Sequence, residues 1–242
     1  MLSLPSNPLL LEGFKTQTQE RSYNATNPQA TINFLVIGPD FGLQPISMTD
    51  PNFYLETPRL FLGYFDPNNP KHCAFLVTLY NSPLFISSEG QTEIVNEEKA
   101  RERISTRFVE EHKRNGYGQF LVSVKSSPTT RFSEAVPIGS VGLTKCTDAE
   151  AFDIPDIGFA IIPEMNGKGY ATESAQCLLD YVKRKQGLDT VFGLVMETNN
   201  GASCRVMEKL GMQDLGVQNM HDGPGRVFAS PGFKDLEKYG FK

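Results

Sequence analysis

Asp156-Ile157-Gly158-Phe159-Ala160-Ile161-Ile162-Pro163-Glu164-Met165-Asn166-Gly167-Lys168-Gly169-Tyr170-Ala171-Thr172-Glu173 is the stretch on which the fold of this 242-residue chain turns. Ile157 to Ile162 is an apolar run stopped by Pro163, which predicts a strand. A loop with two glycines follows and opens directly into a helix over Ala171 to Lys185. Ala175, Leu178, Leu179 and Val182 form the apolar stripe of that helix. Gly167 and Gly169 let the backbone turn sharply and approach a ligand closely. The free N–H groups of the helix start, together with its dipole, favour an anion, phosphates above all. The segment thus predicts a pyrophosphate cradle; the alternative is a plain strand-to-helix turn.

Three nucleotide chemistries compete for such a cradle. A P-loop requires G-x-x-x-x-G-K-S/T, but Ile162 stands at the first glycine and Gly169 follows Lys168. A dinucleotide fingerprint fails at Thr172, where its last glycine belongs. Asp189 and Glu197 also miss the distance at which an acidic residue meets a ribose. The third is acyl-coenzyme A, whose pyrophosphate also suits a helix start.

Outward from this stretch the chain reads as mixed α+β. Arg59 to Tyr64 predicts a first strand and Lys71 to Asn81 a helix. Asn96 caps a second helix running to Asn115, with Ala100, Ile104 and Phe108 on one side and Gly116 as its stop. Gln119 to Lys125 and Ile138 to Thr144 predict strands, as does Val191 to Met196. Ala202 to Leu210 is a short helix ended by Gly211. Val217 to Met220 and Arg226 to Ala229 flank the turn sequence His221-Asp222-Gly223-Pro224-Gly225, which predicts a terminal hairpin. Residues 1–56 are rich in Asn, Pro, Thr and Gln and read as an irregular N-terminal extension, with one added strand over Ile32 to Gly38. Residues 57–242 read as one domain.

Composition excludes several classes. The net charge of −5 supplies no basic surface for a phosphate backbone, so no nucleic-acid partner is expected. No apolar run approaches the ~18 residues of a membrane span. Met1 to Phe14 lacks a basic start and a cleavage signature, so no secretory signal and no membrane partner are expected. Cys73, Cys146, Cys177 and Cys204 have no C-x-x-C spacing, and His72, His112 and His221 are scattered. No metal site is expected, and reduced thiols point to the cytoplasm. The Asn24-Ala25-Thr26 sequon means little without secretion.

Four stretches then fall in a telling order. They are Thr57-Pro58-Arg59-Leu60-Phe61-Leu62, Ile157-Gly158-Phe159, Pro163-Glu164 with Gly167-Lys168-Gly169-Tyr170-Ala171-Thr172-Glu173-Ser174, and Asn200-Gly201-Ala202-Ser203-Cys204-Arg205-Val206-Met207-Glu208-Lys209-Leu210-Gly211-Met212. From Thr57 to about Ala229 these resemble the GNAT superfamily of N-acetyltransferases, and within it the ribosomal-protein N-acetyltransferase-like subgroup. One departure stands out: Asn166 replaces the Gln, Arg or Trp usual at the head of the loop. That exchange should weaken coenzyme binding modestly, because most donors there are backbone N–H groups.

The resemblance implies a GNAT fold with a splayed, mostly antiparallel central sheet flanked by helices. It implies acetyl-CoA as acyl donor, held by Asn166, Gly167, Lys168, Gly169, Tyr170, Ala171 and Thr172. Backbone at Phe159, Ala160 and Ile161 would pair with the pantetheine arm like an added strand, and one N–H there would face the thioester carbonyl. Asn200 and Ser203 would touch the arm; Asn200 is equally explained as a helix cap. The acceptor implied is a small-molecule or peptide amine, and a homodimer is compatible with the family. A general base is needed to neutralise the amine. Asp156 is the candidate, with Glu150 and Asp153 as nearby substitutes and a plain strand-edge acid as the alternative. Glu173 is expected to fix the loop. The Tyr that many members use to protonate the thiolate is Met207 here, which leaves Ser203 or water. A catalytically silent acyl-CoA binding module and an acyltransferase acting on an alcohol are the competing readings.

Overall fold

The computed structural model describes residues 50, 52–145, 154–196, 200–220, 223–233 and 239. Its strands are β1 (Tyr54–Glu56), β2 (Leu60–Tyr64), β3 (Gln119–Val124), β4 (Val136–Thr144), β5 (Asp156–Ile161), β6 (Phe192–Val195), β7 (Gln213–Met220) and β8 (Gly223–Ala229). Its helices are α1 (Pro70–Tyr80), α2 (Pro83–Glu89), α3 (Glu97–Arg103), α4 (Val109–Asn115), α5 (Tyr170–Gln186) and α6 (Gly201–Lys209). The strands form one sheet in the order β1-β2-β3-β4-β5-β6-β8-β7. Every neighbouring pair is antiparallel except β5 and β6.

The sheet has a core on each face, dictated by the period-two alternation of its strands. Phe120 and Val122 of β3 and Val141 and Leu143 of β4 pack under α5, against Ala175, Leu178 and Val182. Leu121, one residue out of step, packs on the opposite face with Cys73 and Leu76 of α1, Ala100 of α3 and Ile104. The expected helix from Asn96 to Asn115 is interrupted by a π-helical segment, Ile104–Phe108, between α3 and α4. Ala100, Ile104 and Phe108 recur every four residues, which drifts about 40° per step on an ideal helix. The wider turn keeps all three buried on one side.

Four elements depart from the sequence reading. β1 pairs with Phe61 to Gly63 of β2, so Tyr54 to Glu56 belong to the sheet although they precede the boundary expected at Thr57. α2 falls where only loop was expected; it has Ser82 as N-cap and Pro83 in its first turn, and it buries none of its residues. β7 starts at Gln213, with a register break between Asp214 and Val217 that hid its period. β8 starts at Gly223. The added strand over Ile32 to Gly38, the acids Glu150 and Asp153, and His221 lie outside the described residues.

Candidate active site

The glycine loop is built as its sequence requires. Gly167 and Gly169 hold φ of 74° and 82°, a left-handed region that side chains resist. Gly169 is the N-cap of α5, and no side chain caps that helix. The first-turn N–H groups, including those of Ala171 and Thr172, are therefore left to an outside acceptor. Asn166, Gly167, Gly169, Tyr170, Ala171 and Thr172 line one cleft of about 490 Å³. Lys168 does not: its Nζ lies 3.4 Å from Met165 Sδ.

The loop is fixed from β2. Glu173 accepts hydrogen bonds from Thr57 Oγ1 at 2.6 Å, from the Arg59 amide at 3.2 Å and from Arg59 Nε at 2.6 Å. Arg59 Nη1 donates to the Lys168 carbonyl at 2.9 Å, and the guanidinium lies over the Tyr170 ring at 4.6 Å. The opening Thr-x-Arg and the glycine loop are thus two halves of one latch.

The sheet opens beside this loop. β5 and β6 pair only at Asp156 and Phe192, then diverge. Phe192 N–H donates to the Pro155 carbonyl at 2.9 Å on one side of β5, while Ile162 N–H donates to Ile138 of β4 at 2.9 Å on the other. Alternation along the strand then points the amides of Ile157, Phe159 and Ile161 into the gap and turns that of Ala160 toward β4. Of the three backbone positions expected to meet a pantetheine arm, Phe159 and Ile161 face the gap; Ala160 lines the cleft with its methyl group instead. The exposed edge from Asp156 to Ile161 is about 16 Å long at ~3.3 Å per residue.

Asp156 sits at the vertex of the V. Its Oδ1 accepts from the Leu194 amide of β6 at 2.8 Å, so a side chain bridges the strands where the backbone ladder ends. Burial pushes the carboxyl up to about 8; the Leu194 hydrogen bond pulls the other way, and the Glu89 charge adds to the rise. Asp156, Gly158 and Ala160 share a sheet face with Ser140 and Thr144 of β4 and with Gln119 of β3. These residues floor the cleft, and nothing lies within 4 Å of where a Cβ on Gly158 would stand.

α6 supplies one wall. Asn200 is its N-cap, and its side chain accepts from the Ser203 amide at 3.1 Å. Both Asn200 and Ser203 line the cleft, so capping and ligand contact coexist at Asn200. Arg205 and Lys209, one turn apart on the same helix, also line it. Sequence reasoning missed these two cations; their spacing of four beside the cleft-lining Ser203 was the available signal. Met207 is buried with its sulfur against Gly193 and lines no part of the cleft, so this helix position offers no proton donor.

The facing wall comes from α1 and α2. Tyr80 stacks on Phe85 with ring centroids 4.3 Å apart, and Leu84 and Glu89 complete it. Burial pushes the Tyr80 phenol up to about 12, so it stays protonated. The segment around Ser82–Val95 is one of the stretches where acceptor identity is expected, but no code in it marks these residues one by one, because α2 shows no buried stripe. Among the described residues no group of His, Cys, Asp or Glu could hold a metal ion, and no helix is long and apolar enough to cross a membrane.

The model of the Acetyltransferase (GNAT) domain matches residues 64–213. The chain belongs to the GNAT acetyltransferases. Among curated proteins, the uncharacterized N-acetyltransferase YnaD of Bacillus subtilis is 36% identical over 61 residues, 25% of this chain, and this chain spans only 35% of that protein's length in the match. Among solved structures, the ribosomal-protein-S5-alanine acetyltransferase of Vibrio fischeri superposes with a TM-score of 0.58 at 17% identity, over 75% of this chain and 99% of that one. The microcin C7 self-immunity acetyltransferase MccE, solved with acetyl-CoA and AMP, gives 0.59 at 14% identity, over 77% and 99%. At such identities the likeness is one of fold.

Proposed function

We propose that the protein transfers an acetyl group from acetyl-CoA to a primary amine, a peptide α-amine or a small-molecule amine, by direct attack on the thioester, in the manner of the ribosomal-protein N-acetyltransferase-like subgroup. One observation carries this reading. The uncapped start of α5 and the unpaired edge of β5 form a continuous track that ends at the Asp156 carboxyl. The amides after Gly169 suit a pyrophosphate, Arg205 and Lys209 add positive charge for phosphate, and the amides of Phe159 and Ile161 suit an extended arm.

When bound, acetyl-CoA supplies an acetyl group already activated as a thioester. Asp156, with its proton affinity raised close to that of an α-amine, takes the proton that the acceptor ammonium must lose. The neutral nitrogen forms the amide bond as the C–S bond breaks. A strand amide facing the gap stabilises the negative charge on the carbonyl oxygen, and the second proton that the attacking nitrogen sheds passes through Ser203 or water to the departing sulfur. The reading carries with it an acetyltransferase domain that takes in β1 from Tyr54 onward behind an N-terminal extension, no metal, no nucleic-acid or membrane partner, and a homodimer as the assembly to test. It also carries a cytoplasmic location, consistent with free Cys73, Cys177 and Cys204.

The test is release of free coenzyme A from acetyl-CoA over a panel of amines and alcohols, with fragmentation spectra of the products. Acetamide products are expected. Acetyl esters alone would replace the nitrogen acceptor with an alcohol. Tight acetyl-CoA binding without turnover on any acceptor would leave a silent binding module.

A further inference from the structure

We propose that the acceptor is recognised as an ammonium group borne on an apolar substituent, and that Glu89 and the Leu84–Phe85 wall select it. The inference rests on the acetyl-transfer reading above and names its substrate class.

Charge is divided across the cleft. Its cations, Arg205 and Lys209, lie on α6, the helix that also bears Asn200 and Ser203, and phosphate oxygens are their natural counter-charge. Its acids, Glu89 and Asp156, come from α2 and the start of β5, and the Glu89 charge raises the cost of ionising Asp156. Glu89 has no cationic side chain within salt-bridge distance among the described residues. A positive group arriving beside Glu89 is favoured and a carboxylate there is repelled, and Asp156 adds its own charge once it has ionised.

The wall beside Glu89 is apolar without being buried. α2 buries none of its seven residues, and Leu84 is 52% exposed although it faces the cleft with Phe85. Tyr80 stacks behind Phe85 and holds that ring in place. A small helix gains nothing from exposing Leu84 to water; an apolar substituent in the cleft would cover it. Below, Gly158 leaves the floor flat and open next to Asp156. The pocket therefore offers a counter-charge at its end, an apolar side and an unobstructed floor. An arylalkyl or alkyl ammonium fits this set, and an amine carrying its own carboxylate does not.

The experiment is calorimetric titration of the coenzyme A-loaded protein with 2-phenylethylamine and with glutamate, alongside acetylation kinetics on both. Wild type should bind phenylethylamine and discriminate against glutamate. Glu89→Gln should weaken phenylethylamine binding about fivefold, with the loss in KM and little change in kcat. Glu89→Lys should weaken it about twentyfold and narrow or invert the preference, while acetyl-CoA affinity and Tm stay at wild-type values. Glu89→Asp should restore most of the binding. Equal affinity for the two amines in wild type, no binding of phenylethylamine, or unchanged selectivity in Glu89→Lys would overturn the proposal. Selective, Glu89-dependent binding without acetylation would uphold it while removing the acetyl-transfer reading.

Discussion

Arg59 and Glu173, 114 residues apart, meet at 2.6 Å and join the start of β2 to the first turn of α5. The Glu173 side chain is largely shielded and takes three donors from the Thr57–Arg59 segment, while Arg59 passes the constraint on to the Lys168 carbonyl. Glu173→Ala would take the carboxylate acceptor away from Thr57 Oγ1, the Arg59 amide and Arg59 Nε. A stability loss of about 1–3 kcal/mol is expected, measured by denaturant unfolding. Acetyl-CoA affinity should fall by about tenfold, because the loop loses its latch. An unchanged affinity would mean that the loop holds its shape unaided.

Gly169 separates conformational demand from ligand charge. A side chain at φ of 82° is strained by about 1–2 kcal/mol, and a Cβ there would stand 3.5 Å from Arg59 Nη2. Gly169→Ala should therefore cost stability and some affinity. Gly169→Asp adds a negative charge at the helix start and should cost at least a further tenfold in acetyl-CoA affinity. Calorimetry on the two folded variants reads the difference, which vanishes if no anion binds there.

Asp156 gives two pH signatures. Its carboxyl, raised from 3.8 to about 8, keeps a proton in the folded state that the unfolded chain has lost between those values. Its contribution to stability is present at low pH and is lost as pH rises through that window. Asp156→Asn should abolish this slope, so the variant gains relative to wild type as pH rises from about 4 to about 8. Buried His112, lowered to about 4, works in the opposite sense in both proteins and cancels in the comparison. The groups around Asp156 are Glu89 of α2, Thr144 of β4 and the Leu194 amide of β6, with Arg205 and Lys209 on the α6 wall. In the proposed turnover the ionised form is the active one. The rate at saturating acetyl-CoA should rise through about pH 8 in wild type, and Asp156→Asn should lower it by about 10²–10⁴ near neutrality, less at high pH.

Gly158 tests the floor. Its backbone is ordinary strand and a Cβ would meet nothing within 4 Å, so Gly158→Val should fold with a near-wild-type Tm. The branched side chain would fill the space beside Asp156. Acceptor KM should rise by about tenfold or more while acetyl-CoA affinity changes less. Equal KM values would place the acceptor elsewhere.

Some of this was legible in the chain and some was not, for reasons visible in particular residues. The strand–glycine–helix unit could be read because its constraints are local: Pro163 stops β5, and glycine takes the dihedrals at 167 and 169 without strain. The role of Glu173 in fixing the loop could be anticipated, but its partner Arg59 could not, since nothing in spacing links positions 114 apart. β1 and α2 were missed because three residues carry no period and an unburied helix carries no stripe. The vertex at Asp156 depends on where β6 leaves β5, which is a property of packing. The proposed acceptor wall is legible only once α2 is folded against Tyr80.

The V between β5 and β6 has a further consequence for how the molecule avoids its neighbours. An unpaired strand edge on the outside of a protein invites another chain to add to it, and is a hazard for aggregation. Here the open edge of Ile157, Phe159 and Ile161 lies between two strands of the same sheet, walled by α2 on one side and α6 on the other. A second copy of the sheet cannot reach it. Only something as narrow as a single extended chain can, so the sheet keeps adhesive backbone available to a slender ligand while denying it to other proteins.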